Sequence, residues 1–306
     1  METLEKSLSR YALIGVVAAL ATIALKGGGY ALTGSVAILS DALESLINLA
    51  TSVMAAVILG VAARPADEEH AYGHSKAEYF ASGFEGAVIL AAALTIGFTA
   101  ARRLVDPAPL QAVGLGLAVT GVATAINLIA ARWLFQLARQ FRSIALEAGA
   151  HHLMVDVWTS VGVIVGVGAA GQLGWEWLDP VIALLVAINI LRIGVRLLRG
   201  SLLGLLDTAL PEETRQRIVS VLEAHRPAGV QYHALRTRQA GAWGFISVHI
   251  LVPGDWTVQQ GHDLLETIEA RVREAVPDST VFTHLEPLED PVSWEDVGLH
   301  RPGPRV

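Results

Sequence analysis

The sequence contains no cysteine in 306 residues. Thiolate is thereby removed from the ligands open to a metal site, and no disulfide can staple any part of the chain. A metal ion would have to be held by His, Asp, Glu or Asn. Charge is scarce too, at 17% of residues against 53% hydrophobic. No G-x-x-x-x-G-K-[ST] phosphate loop is found, which argues against a pump driven by ATP. The stretch "LTGS" at 32–35 has no charged residue, and "GQLGWEWLDP" at 171–180 has acids and two tryptophans but no Lys or Arg.

What is present is length of apolar chain. Six blocks can be read, at 10–32, 36–63, 79–105, 110–135, 144–173 and 178–200, separated by brief charged stretches. A bilayer crossing takes roughly 20 predominantly apolar residues, so each block is expected to span. The first is long and lacks a small-residue cleavage site, so it reads as a span and not as a cleaved signal. Positive charge favours the cytoplasmic side. Lys6 and Arg10 precede the first block, Arg64 and Lys76 follow the second, Arg132, Arg139 and Arg142 follow or end the fourth, and Arg192, Arg196 and Arg199 end the sixth. Arg102 and Arg103 are the exception, offset by Asp106. Six crossings with this bias put both termini in the cytoplasm.

After Gly200 the pattern changes to that of a small soluble domain. "PEETRQRIVSVLEAH" opens on Pro211 and two glutamates, a helix start, with Ile218, Val221 and Leu222 on one face. "QYHALRTRQ" and "GFISVHILV" alternate around a glycine break and read as a hairpin. "TVQQGHDLLETIEARVREAV" is an amphipathic helix and "STVFTHLEPL" a last strand. The expected class is an α-helical membrane protein with six transmembrane helices over 1–207, then a cytoplasmic α+β domain of order αββαβ over 208–290, its sheet open on one face. Residues 291–306 read as a loose, flexible end.

Ionisable groups at membrane depth are costly and line functional pathways. In "SDALESLIN" Glu44 and Asn48 are four apart on one helix face, and Asp41 lies one turn before Glu44. In "GAHHLMVDVWTS" His152 and Asp156 repeat the spacing. Two such pairs on two helices could close four side chains around one ion, the tetrahedral set zinc favours and other divalent ions accept with added ligands. Interhelical hydrogen bonding is the structural alternative. His151 points about 100° away from His152 around the helix and reads as packing or as support behind the ligands.

"SDALESLIN", "PADEEHAYGHSKAE" and "HHLMVDVWTS", followed by "LLDTALP" and the soluble tail, resemble the cation diffusion facilitator family, in particular its bacterial zinc and ferrous-iron efflux type. The resemblance runs from about Ser9 to Leu288. It implies a homodimer in the bacterial cytoplasmic (inner) membrane that exports a divalent metal ion against protons, with a metallochaperone-like cytoplasmic domain in each protomer. It implies a transport site on Glu44, Asn48, His152 and Asp156, with Asp41 behind them; the family usually has Asp or His in place of Glu44 and Asp in place of Asn48. A second site maps to Asp67, His70 and His74 in the loop, whose histidines would otherwise cap or pack. Lys76 would pair with Asp207 as an interlock of the dimer. His233, His249, His262, His284 and Glu286 match the family's regulatory metal ions; histidines dispersed in a soluble domain are otherwise surface residues. His225 and His300 match nothing and read as solvent-exposed.

The reading that follows is a secondary active transporter, not an enzyme, with no nucleic-acid partner. Zinc is the first candidate cargo, and iron, manganese, cobalt and cadmium are the others. The rival is a membrane metal sensor or scaffold that no longer transports, motivated by Asn48.

Overall fold

The computed structural model describes residues 2–33, 36–106, 114–173, 177–295 and 298. The chain divides into two compact units, Met1–Leu203 and Gly204–Val306. The first is built from α1 (Glu2–Thr33), α2 (Val36–Ala62), α3 (Ala77–Val105), α4 (Gly114–Phe141), α5 (Ile144–Leu173) and α6 (Leu178–Leu205), whose end carries the chain into the second unit. Among the described residues three stretches are long and apolar enough to cross a bilayer: Ala77–Val105, Ala118–Phe141 and Pro180–Leu205. Leu13–Gly28 and Asn48–Ala62 are shorter apolar helices.

Large apolar side chains such as Leu94, Phe98, Ile129 and Leu185 face outward, the distribution a lipid solvent allows and water does not. Inside, small residues set the spacing. Ala18, Ala81, Ala130, Ala131, Ala138, Ala145 and Ala150 form a core with Leu59, Leu134, Leu146 and Leu153, and such side chains let helix backbones approach closely. A second core joins α3, α5 and α6 through Ile89, Ala93, Ala148, Val155, Ile190 and Leu197.

Close approach is tightest between α3 and α6. A Cβ on Gly86 would lie 3.0 Å from the Leu198 nitrogen and 3.3 Å from the Gly194 carbonyl oxygen, both backbone atoms that cannot swing aside. Gly86→Val is therefore expected to force the two helices apart, at a cost of about 1–3 kcal/mol. A lowered melting temperature of the detergent-solubilised protein is the result to look for. Melting unchanged from the parent would mean that the contact is slack.

The turn from α4 to α5 is held from α3. Arg142 adopts φ 51°, ending α4, and the Ser143 amide donates to the Ala138 carbonyl. Ser143 then caps α5, its Oγ accepting from the Leu146 amide at 3.3 Å. That same hydroxyl donates to Glu78 Oε2 at 2.7 Å, and the Ala145 amide donates to the same oxygen at 3.4 Å. A carboxylate at a helix N-terminus meets unsatisfied amides and the positive end of the helix dipole. Glu78, buried at the start of α3, thus fixes where α5 begins.

The second unit follows the expected order: α7 (Glu212–Glu223), β1 (Gln231–Ala240), β2 (Trp243–Val252), α8 (Val258–Ala275) and β3 (Ser279–Pro287). β1 and β2 form an antiparallel hairpin, and β3 pairs parallel to β2. Ile246, Val248, Ile250 and Val252 alternate along β2 toward Ile218 and Leu222 of α7 and Ile268 and Val272 of α8, so both helices cover one face of the sheet. α8 starts with a capping box between Thr257 and Gln260. The segment expected to be loose carries a 3-10 turn at Pro291–Trp294, with Asp290 accepting from the Val292 amide.

Candidate metal sites

Asn48, of the first helical pair, meets both members of the second. Asn48 on α2 and His152 on α5 are both 7% exposed. The Asn48 amide Nδ2 donates to Asp156 Oδ2 at 2.5 Å, and His152 Nε2 lies 2.8 Å from Asn48 Oδ1. Asp156 is acceptor-only when ionised, which fixes the orientation of the Asn48 amide. The Asn48 oxygen is left for His152, whose Nε2 donates a proton to it. Asn127 of α4 also donates to Asp156 Oδ2, at 3.3 Å. α2 carries Asp41 and Glu44, but their side chains lie outside the described residues.

In the loop between α2 and α3, Asp67, His70 and His74 draw ligand atoms within 4.8 Å of one another. The Asp67 Oδ1 accepts from the His70 amide at 2.7 Å, while Oδ2 lies 3.4 Å from His74 Nε2. Gly73, at φ 82°, supplies the left-handed residue that brings His74 back beside His70; the two rings sit 4.4 Å apart. The His70 amide, helped by His74, holds the Asp67 carboxyl below the usual carboxylate range. It therefore keeps its charge to lower pH than an ordinary aspartate.

On the face of the sheet away from the helices, one histidine stands on each strand. His233 is directly opposite His249, and His249 opposite His284. Glu286, 5% exposed, draws them together: its Oε2 is 2.9 Å from His233 Nε2 and 3.3 Å from His249 Nδ1, and its Oε1 is 3.4 Å from His284 Nε2. Three groups, His233, His249 and Glu286, meet the spacing for one ion. A bulge between His233 and Arg236, with Ala234 at φ 50°, turns the strand just past the first ligand. Trp294 sets its ring edge-on to His233, 5.5 Å between centroids. His262 stands exposed on α8 and is outside this cluster among the described residues.

Known proteins resemble the chain at both ends of this layout. Residues 12–206 match the family described as "Cation efflux transmembrane domain" and residues 210–288 the one described as "Cation efflux protein, cytoplasmic domain". The chain belongs to the cation diffusion facilitator family. An uncharacterized transporter, sll1263, of Synechocystis sp. is 54% identical over 285 residues, 93% of this chain and 92% of the relative. The cation-efflux pump FieF of Klebsiella pneumoniae is 33% identical over 279 residues, 91% of this chain and 92% of its own. FieF of Citrobacter koseri is 32% identical over 286 residues, 94% and 95% of the two chains.

Other residues singled out in this cation diffusion facilitator have the following surroundings. Asp207, at φ 59°, accepts from Arg238 Nη1 at 3.3 Å within the second unit, and Lys76 occupies the residue before α3. His151 packs edge-on against Phe135 at 4.9 Å and lies 3.8 Å from Glu147, a packing role. His225 departs from its expected exposure: it is half-buried, and its Nδ1 lies 2.9 Å from the Val221 carbonyl oxygen, where it finishes α7. His300 lies outside the described residues. Among the buried polar groups not read from the sequence are Lys26, which donates to Ser45 Oγ at 2.9 Å, Asn127, and Glu85 of α3. Each interrupts an apolar run, the same signal that picks out Glu44.

Proposed function

We propose that this efflux protein exports a divalent metal ion, zinc foremost, across the bacterial cytoplasmic membrane in exchange for protons. Iron, manganese, cobalt and cadmium are the other candidates. It would work as a homodimer whose six helices per protomer all span, with both termini in the cytoplasm. The observation that carries the reading is the junction of Asn48, His152 and Asp156, three hydrogen-bonded ligand-type groups buried between apolar helices. Glu44, one turn before Asn48 on α2, is the fourth ligand. Two carboxylates and two neutral groups match the charge of a dication.

The hydrogen bonds suggest how exchange occurs. A metal ion binds neutral imidazole through its unprotonated nitrogen, so cargo arriving at a doubly protonated His152 releases the Nε2 proton, leaves the other on Nδ1, and replaces both contacts of the Asn48 amide. Proton return from the outer side reverses the step and releases the ion. Moving one charge across the membrane potential is worth about 2.3 kcal/mol per 100 mV, so export of a dication from an inside-negative compartment needs proton entry to drive it.

Purified protein in liposomes holding a metal-sensitive dye tests this. A panel of first-row divalent ions under an imposed pH gradient should give flux, fastest for zinc. No flux of any ion would leave the membrane sensor or scaffold, which the preformed cluster of His233, His249 and Glu286 favours.

The remaining ligand sets serve that cycle. Asp67, His70 and His74 form the loop site, and Lys76 with Asp207 locks the dimer. His233, His249, His284 and Glu286, joined by His262, form the regulatory site. If the last holds, metal binds one arrangement of the two tails better than another, and spin-label distances between them should shorten on adding zinc. Distances unchanged at saturating zinc would leave these histidines with a structural role alone.

A further inference from the structure

Glu85 lies in the third turn of α3 and is 2% exposed. Burying a carboxylate in a membrane protein costs several kcal/mol unless a partner offsets it. Its Oε2 stands 3.1 Å from His152 Nδ1, an ion-pair distance, and makes no hydrogen bond among the described residues. Glu85 also lines a cavity of about 20 Å³, bounded otherwise by Ser52 and apolar or backbone groups such as Ala55, Leu59 and Gly149. The cavity has room for about one water molecule. Glu85 also completes a buried polar row on one face of α3, with Ser82 and Glu78 one and two turns before it.

The geometry points to Glu85 as a positioning residue for the transport histidine. His152 presents Nε2 to Asn48 and Nδ1 to Glu85, so the two faces of one ring are divided between α2 and α3. A carboxylate beside Nδ1 favours keeping a proton on that nitrogen, so that it is the Nε2 proton that leaves and the Nε2 lone pair that meets the metal. The carboxylate also adds negative charge beside a site where Asn48 contributes none. This inference rests on the reading of Asn48, His152 and Asp156 as transport ligands. The plain alternative is an ion pair that only ties α3 to α5.

Zinc flux into proteoliposomes separates the cases. Glu85→Gln keeps shape and loses charge, and it is expected to raise the KM for zinc on the order of 10-fold or more, the usual penalty for losing such a partner. Glu85→Asp should recover most of the loss, and zinc binding by the cytoplasmic unit should match the parent in both. Asp156→Ala is the control for the site itself: its flux should vanish. If Asp156→Ala is silent, the transport site lies elsewhere. If Asp156→Ala is inactive while Glu85→Gln has the parent KM, or Gln and Asp are equally impaired, the positioning role is overturned and the site reading stands. A second measurement needs no Glu85 variant. In the zinc-loaded, ¹⁵N-histidine-labelled parent, the ring signals lost in His152→Gln should report a proton on Nδ1 and metal on Nε2. Metal on Nδ1 overturns the proposal.

Discussion

His152→Ala and Asp156→Ala are each expected to bring metal flux in proteoliposomes down to that of protein-free vesicles. Asp156 receives the amides of Asn48 and Asn127, and His152 faces Asn48 on one side and Glu85 on the other. Removing either takes the centre out of a buried polar junction. The alanine at 152 also leaves the Asn48 oxygen short of a partner, a loss of about 1–3 kcal/mol, so folding has to be checked apart from transport. The melting temperature of the detergent-solubilised protein is that check, while zinc binding to the cytoplasmic unit should match the parent, because its ligands lie in a separate compact unit. Flux near the parent level in both variants would remove this junction from the pathway.

Asn48→Asp should tighten metal binding and slow release. In the parent an amide hydrogen sits between Asn48 and Asp156 at 2.5 Å; the substitution sets two carboxylates face to face. Without metal, like charges at that range keep a proton between them. The ion must then displace one more proton than before, so affinity should rise more steeply with pH and fall faster on acidification. Above neutral pH the added charge should strengthen zinc binding about tenfold, worth about 1.4 kcal/mol, and favour zinc over its competitors. Turnover should drop because a better-held ion leaves late. Zinc titrations at several pH values, with flux measured alongside, decide it. Unchanged affinity, selectivity and pH profile, together with a silent Glu44→Ala, would take α2 out of the site and make Asp41 the next residue to test.

The elements that could be read from sequence were those with a strong period. The αββαβ order of the tail was legible because its strands alternate and its helices are amphipathic, and the pairing of His152 with Asp156 followed from helical spacing alone. A histidine on each of the three strands was legible too, but not their alignment opposite one another, because strand register depends on the bulge after His233 and on the β2–α8–β3 crossover. Contacts between helices were illegible for the same reason. Spacing along α5 gives the direction of His152 but not the neighbour that its second nitrogen meets. Glu85 and Glu78 were visible as acids in or beside an apolar run; what each touches depends on how α3 packs against α5. His225 was misread because a histidine one turn beyond a helix's last apolar residue can serve as its end.

If the histidine row binds metal as proposed, the sheet's durability becomes a function of metal supply. β1 and β2 are close in sequence, but β3 joins them only after the whole of α8, and Glu286 touches histidines from all three strands. An ion held there would bind the folded sheet and not the open chain. At a free concentration 100 times its Kd it would add about 2.7 kcal/mol to the unfolding free energy. Amide protons of β3 would exchange slowly in metal-replete conditions and faster after chelation, so the strand that closes the sheet last would be the first to register scarcity.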